Sequence, residues 1–321
     1  MGYKDRRAIL LVIGILLLLI GIAAAFFGPI EIYCFYLFSE GGPFHYEGFG
    51  FGSFMFGNLA TQIIGYYCIA LLAIPLGYGH LKVRRWARTL ALTLLWSWLV
   101  VGVPLAIIFF MILVTAKELS LLAVLIAVIL LGFSYPILPV LLIRFYQSND
   151  VRRTFEARDR NAYWTERFPI ANLVLSFLYL FYAVVLHLPI FFNGLFPLFG
   201  MFLIGLKGIV SLTISILVLP LLIWGTLRQR LWAWWGALLY FGLLICSTML
   251  TFAAASFADI LNRMRFPPTE MEILQGIPLQ GVHLAAFLGL PLLLTLIAIA
   301  VSKRHFGGSA RHQAQPLGPT S

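Results

Sequence analysis

Charge is what this chain has least of. It carries 22 Lys and Arg and 12 Asp and Glu among 321 residues, 11% in all, where a soluble domain carries roughly 25%. Hydrophobic residues make up 61% and aromatic residues 15%. Burying that much apolar surface in one water-soluble core is implausible, which argues against a soluble enzyme, a nucleic-acid binder or a disordered chain. The net charge of +10 does not imply a nucleic-acid partner, because the basic residues sit in short clusters between long apolar runs. Cysteine is scarce as well. Of Cys34, Cys68 and Cys246, two lie inside apolar runs, where a thiol behaves as a small hydrophobe, so no disulfide framework is expected. There is no Asn-x-Ser/Thr sequon, which fits a prokaryotic plasma membrane better than a glycosylated surface. Neither a P-loop, a Gly-x-Ser-x-Gly elbow, a His-Glu-x-x-His pair nor a Cys-x-x-Cys pair occurs. ATPase and serine hydrolase readings therefore have no foothold.

What is present is length of apolar run. A helix needs about 20 mainly apolar residues to cross roughly 30 Å of hydrocarbon. Eight segments qualify: Ala8–Phe27, Leu59–Tyr78, Leu90–Val114, Leu119–Ile143, Ile170–Ile190, Ile204–Trp224, Ala233–Phe257 and Val282–Val301. The first ends in Phe26-Phe27-Gly28-Pro29 with no small-x-small cleavage site, so it reads as a retained helix. The expected fold is an all-α polytopic membrane bundle. Eight crossings put both termini on one side, together with eighteen Lys and Arg in five clusters from Lys4 to Arg311. Only Lys117, Arg263 and Arg265 fall on the other side. That bias predicts cytoplasmic termini.

The two halves align at an offset of 146 residues. Gly79, Leu81, Arg84, Trp86, Ala87, Ala91 and Leu92 match Gly225, Leu227, Arg230, Trp232, Ala233, Ala237 and Leu238, and Lys82 faces Arg228. In each half this turn joins the second and third helices, which points to a parallel 4+4 duplication. The expected division is 1–168, a first four-helix half with a cytoplasmic loop at 144–169, then 169–305 as the second half, and 306–321 as a disordered tail.

The loops carry their own signals. Asn149 or Asp150 can cap a short amphipathic helix with Val151 and Phe155 on one face, and Arg152–Glu156 and Glu156–Arg160 are spaced to pair. Its arginines, Arg152, Arg153, Arg158 and Arg160, suit anionic headgroups. On the other side, residues 29–57 interleave glycine with aromatic rings, as expected for a flap over the outer mouth. After Pro267-Pro268, the Thr269–Glu272 stretch fits a capping box and Gly276 a stop.

The candidate binding residues are few. Lys207 is the only Lys or Arg inside a span, and an intramembrane charge is a functional candidate by default. Ser211 follows it one turn later. His187 and His283 lie at a similar depth on other helices, and Asp259 falls in step with Ser247, Thr251 and Ala255. Together they could hold an anionic headgroup. Seventeen residues from Trp224, however, Lys207 is also shallow enough to snorkel. With His45 and nearby carboxylates the histidines could in principle ligate a metal or haem, but no spacing enforces it. No cofactor or metal is expected. The leading reading is a non-catalytic plasma-membrane protein, permease-like or a subunit of a membrane complex with other membrane subunits as partners. The alternative is an enzyme acting on a lipid or isoprenoid at the outer leaflet.

Overall fold

Among the described residues, eight helices are long and apolar enough to cross a membrane. The computed structural model describes residues 3–45, 47–115, 120–276 and 279–307. Lys117 and the tail beyond 307 lie outside the described residues. The first half consists of α1 (Arg7–Phe38), α2 (Phe54–Leu81), α3 (Arg85–Thr115), and a fourth span made of α4 (Leu121–Gly132), a π-helical turn at Phe133–Ile137 and α5 (Leu138–Gln147). After the surface helix α6 (Asn149–Arg158), the second half follows. It contains α7 (Ile170–Val185) with the one-turn α8 (Leu188–Phe191), β1 (Phe196–Leu198), β2 (Met201–Leu203), α9 (Leu206–Leu227) and α10 (Leu231–Ala254). It closes with α11 (Phe257–Met264), α12 (Pro268–Gln275) and α13 (Gly281–Val301).

Each half has its own core. Leu10, Leu76, Ala87, Leu92, Ile143 and Phe155 fill the first, and Leu178, Tyr179, Leu219, Phe241, Leu292 and Ile299 the second. The halves meet on α3, which packs against α7 and α13 and sends Val100 and Val101 into the second core. A two-fold relation would require α10, the counterpart of α3, to pack likewise on the first half. Among the described residues α10 makes no comparable contact with α1 or α5. The α3 contact therefore has no two-fold counterpart, and the halves meet again where α2 touches α8 and Glu270.

The sequence match at residues 79–92 and 225–238 has a local structural cause. In both places a helix stops, one residue takes a left-handed conformation (Val83, φ 49°; Gln229, φ 54°), and the next helix starts. The same bonds close both turns: Arg84 N–H to the Gly79 carbonyl at 2.7 Å, and Arg230 N–H to the Gly225 carbonyl at 2.9 Å. The edge of the tryptophan ring of the second helix packs against the glycine of the first, Trp86 on Gly79 and Trp232 on Gly225. Both turns sit at the same end of the bundle. Arg84 and Arg85 bond Asp159 and Glu166, and Asn172, six residues on from Glu166, bonds the carbonyl of Thr226.

Several boundaries differ from the expected ones. The α1 helix continues through Pro29 to Phe38, so its 32 residues span about 48 Å at 1.5 Å per residue and the glycine-aromatic loop is only 39–53. Proline is tolerated there because an apolar helix has no better use for its backbone than to continue. The α10 helix ends at Ala254, with Ala255 extended. Asp259 therefore lies on α11 and is not in register with Ser247 and Thr251. The tail is not wholly free either: Phe306 is buried, and Gly307 N–H bonds the Gln229 carbonyl.

Candidate functional site

The arginine-rich end is held by buried polar groups. Helix α6 is capped by Ser148, whose hydroxyl accepts from Val151 N–H at 3.4 Å, and not by Asn149 or Asp150. Ser148 precedes the helix by one residue, a cap signal that was present in the sequence. Val151, Thr154 and Phe155 are fully buried against the first core, so the apolar face of α6 is occupied by the bundle and not by lipid. Its outward face keeps Arg152 and Arg153 exposed, and Arg160, past its end, is exposed as well. Arg152 bonds Glu156 at 2.8 Å, whereas Arg160 lies beyond the helix end at Arg158. The N-terminal segment is strapped across α6: Arg6 N–H bonds Thr154, the Arg6 guanidinium bonds Asp150, and Arg158 bonds Asp5 at 2.7 Å. The Arg158 bond and the Arg7 amide hold the Asp5 carboxyl below its ordinary range.

Asp159 caps the start of α3 from 74 residues away. Its carboxylate accepts from Arg85 N–H at 3.1 Å, from Asn161 N–H at 3.2 Å and from the Arg84 guanidinium at 3.4 Å. Burial alone would raise its pKa. The bonds from Arg85, Tyr163 and Asn161 and the Arg84 charge outweigh it, and the carboxyl stays below the ordinary range. Beside it, His80 is fully buried between Leu76 and Tyr146. The Leu76 carbonyl can only accept, so Nδ1 carries the proton (2.7 Å), and the neutral ring accepts from the Tyr146 hydroxyl at Nε2 (2.6 Å).

The opposite end is closed by chain that the sequence reading left unstructured. The hairpin β1–β2 pairs Phe196 with Leu203 and Leu198 with Met201, and turns on Phe199 (φ 41°) and Gly200 (φ 92°). Two central residues at positive φ match the twist of a two-residue hairpin. The free N–H groups of that turn are taken by α10: Phe199 N–H bonds Ser247 at 3.0 Å and Gly200 N–H bonds Thr251 at 2.9 Å. The Ser247–Thr251 stripe is thus an anchor for the hairpin.

The expected Thr269–Glu272 capping box does not form, because α12 already starts at Pro268 with Pro267 before it; Glu270, inside its first turn, acts elsewhere. Its buried carboxylate accepts from Phe54 N–H at 2.7 Å and Met55 N–H at 2.9 Å, the first amides of α2, with Ser53 supplying the local cap. A carboxylate at a helix N-terminus answers both the orphan amides and the dipole. No spacing rule links residues 216 apart, so nothing in the sequence could have shown it. Two clefts open at this end. One of about 710 Å³ lies between the end of α10, α11 and the start of α13, lined by Ser256, Gln275 and Gln280. The other, about 620 Å³, lies between the glycine-rich loop and the 264–269 turn, with Glu47 and Arg265 on its walls.

The predicted binding residues are not brought together by any bond. Lys207 is exposed in the first turn of α9. Ser211 donates back to the Lys207 carbonyl at 2.9 Å, within one helix. His187 lies between α7 and α8 and donates from Nδ1 to the Ala183 carbonyl at 2.6 Å. His283 accepts at Nδ1 from Gln280 N–H at 3.1 Å and caps α13. Asp259 is paired with Ser256 in the first turn of α11. None of Lys207, His187, His283 or Ser211 lines either cleft. Among the described residues no group of three His, Cys, Asp or Glu side chains could hold a metal ion. No protein family, curated protein or solved structure matches the chain. Its eight apolar helices are those of a multi-pass integral membrane protein.

Proposed function

We propose that this chain is a non-catalytic subunit of a membrane complex, seated in a prokaryotic plasma membrane with its arginine-rich end in the cytoplasm. The observation that carries this reading is the filled interior. Leu175, Leu178, Tyr179, Leu219, Phe241 and Ile299 are each almost completely buried where the second-half spans meet, and both clefts lie at one end. A permease needs a mid-membrane cavity between its repeats, and the packed second core gives no support to one. The outer-leaflet enzyme lacks support from converging side chains. The fourth span favours the subunit reading further. Helix α4 has no buried residue, and Leu121, Leu122, Ile126, Ile129 and Leu130 all face outward from the bundle. The halves arose by duplication in this reading, supported by the two matching turns, and then diverged enough to lose two-fold packing. Arg152, Arg153 and Arg160 meet anionic headgroups, together with the part of Arg158 not engaged by Asp5. At the outer face Lys207 touches a headgroup phosphate on its own.

Mass measurement in discs of native membrane tests the assignment. We expect the chain to travel in a particle heavier than its own 36.0 kDa plus lipid, with a second protein in fixed ratio. A lone chain carrying only lipid would refute it.

A further inference from the structure

Seven Ser and Thr hydroxyls on the membrane-spanning helices dispose of their proton in one way. Thr61, Thr93, Ser97, Ser211, Thr213, Thr251 and Thr295 each donate to the carbonyl four residues earlier, at 2.7–2.9 Å. This is the usual arrangement of Ser and Thr in an apolar helix. Ser176 and Thr226 are exceptions. Both are buried, at 8% and 0% exposure, and neither hydroxyl has a hydrogen-bond partner in the protein. They are not isolated. Asn172, Ser176 and Tyr179 are spaced i, i+4 and i+7 on one face of α7. The Asn172 amide donates to the Thr226 carbonyl at 2.9 Å, which ties that face to the last turn of α9. The Tyr179 hydroxyl lies near Thr226 without forming a hydrogen bond to it, and the Asn172 carbonyl oxygen has no partner either. Four polar oxygens therefore lie unpartnered at one helix crossing, where each would carry the penalty of an unsatisfied buried group if left dry.

The first half shows what fills the equivalent place there. At the 146-residue offset Thr226 corresponds to His80. The His80 imidazole bridges the Leu76 carbonyl to the hydroxyl of Tyr146. The Thr226 side chain is smaller than that of His80 by three heavy atoms and reaches no such partner.

We infer that Asn172, Ser176, Tyr179 and Thr226 form an internal water-binding site at the crossing of α7 and α9. The donor and acceptor inventory selects water over an ion. Each hydroxyl brings one proton to donate, and the Asn172 oxygen can only accept. A water accepts from two hydroxyls and donates to the amide oxygen and to the third hydroxyl, so each of the four oxygens gains a partner and only one hydroxyl proton is left without an acceptor. A cation would take the four oxygens but give the hydroxyl protons no acceptor, and the four side chains include no carboxylate to balance its charge.

The test uses the full-length protein in lipid discs. Tyr179→Phe and the near-isosteric Thr226→Val each remove one hydroxyl with little change of shape. A water-filled site predicts that each lowers the thermal midpoint by roughly 2–4 °C, and that the double variant loses less than the sum, because both act on one water. The wild-type midpoint should not change when Na⁺ is exchanged for K⁺ or choline at constant ionic strength. Midpoints unchanged or raised in the single variants would mean dry hydroxyls and overturn the site. Strictly additive losses would overturn the shared water. A Na⁺- or K⁺-specific rise that both variants abolish would replace water by a cation. If Tyr179→Phe does not fold, Ser176→Ala takes its place in the same scheme.

Discussion

Replacing Gly79 and Gly225 by alanine, one at a time, tests whether the two turns are the same device. At Gly79 an added Cβ would stand 2.7 Å from the Ala87 Cβ and 2.8–2.9 Å from the edge of the Trp86 ring. At Gly225 it would stand 2.5 Å from the Ala233 Cβ and 2.7–2.8 Å from Trp232. Carbon atoms prefer about 3.5–4.0 Å, so both sites are short by roughly 1 Å against a rigid indole and a backbone-fixed methyl. Neither neighbour is the far end of a flexible chain, and overpacking of this kind costs about 1–3 kcal/mol. The helical gain of alanine over glycine, at most about 1 kcal/mol, offsets part of it. A net loss near 1–2 kcal/mol is expected at both positions, equal to within about 0.5 kcal/mol. Gly65 and Gly242, also inside spans, have open space where the Cβ would go, and alanine there should be neutral or slightly stabilising. Reversible denaturation in mixed micelles, followed by tryptophan fluorescence, measures all four. If Gly79→Ala and Gly225→Ala behave like the two controls, the ring-on-glycine account of the repeated turn is wrong.

Two further outcomes follow from the ends of the bundle. Asp159→Asn should cost about 2 kcal/mol at neutral pH through the loss of charged hydrogen bonds at the start of α3. Because the folded pKa is lowered, that contribution is complete above the ordinary value of 3.8 and is lost as pH falls through the lower folded value. The gap between wild type and variant should therefore narrow as pH falls below 3.8, and a gap that does not change with pH would show that Asp159 acts through shape alone. Reporter fusions after Arg160 should read cytoplasmic and fusions near Gly48 and Glu270 external, and a cytoplasmic signal at Gly48 would reverse the proposed orientation.

The eight spans were legible because bilayer thickness imposes a length and a composition that no soluble helix needs. The repeated turn was legible because its glycine and tryptophan touch, and the contact lies within a few residues of sequence. The remaining features turned on a local cap, on what covers an apolar face, or on an element too short to show a period. Asp259 was placed on α10 by periodicity alone, but Ser256 caps a new helix at that point and ends the register. The face of Val151 and Phe155 was correctly identified as apolar. Periodicity does not say whether a protein or a lipid covers such a face, and here α6 closes over His80 and Tyr146. The hairpin at 196–203 had no alternating pattern to reveal it, since three-residue strands are too short to show a period.

The same reasoning explains why the predicted binding residues remain scattered while polar order appears elsewhere. Lys207, His187, His283 and Asp259 were selected as rare charges and imidazoles in apolar surroundings. Each lies at or near a helix terminus, where a nearby carbonyl, amide or hydroxyl satisfies His187, His283 and Asp259 and water or headgroups can reach Lys207. Position at the end of a span removes the energetic demand that would have drawn them together. That demand is strong wherever packing excludes water, even in a terminal turn, and the groups exposed to it are ordinary ones: Asn172, Ser176, Tyr179 and Thr226, unremarkable in sequence and separated by up to 54 residues. In a chain with so few charges, burial identifies a polar site better than residue type does, because a neutral hydroxyl at a buried crossing needs a partner more than a lysine at the membrane surface.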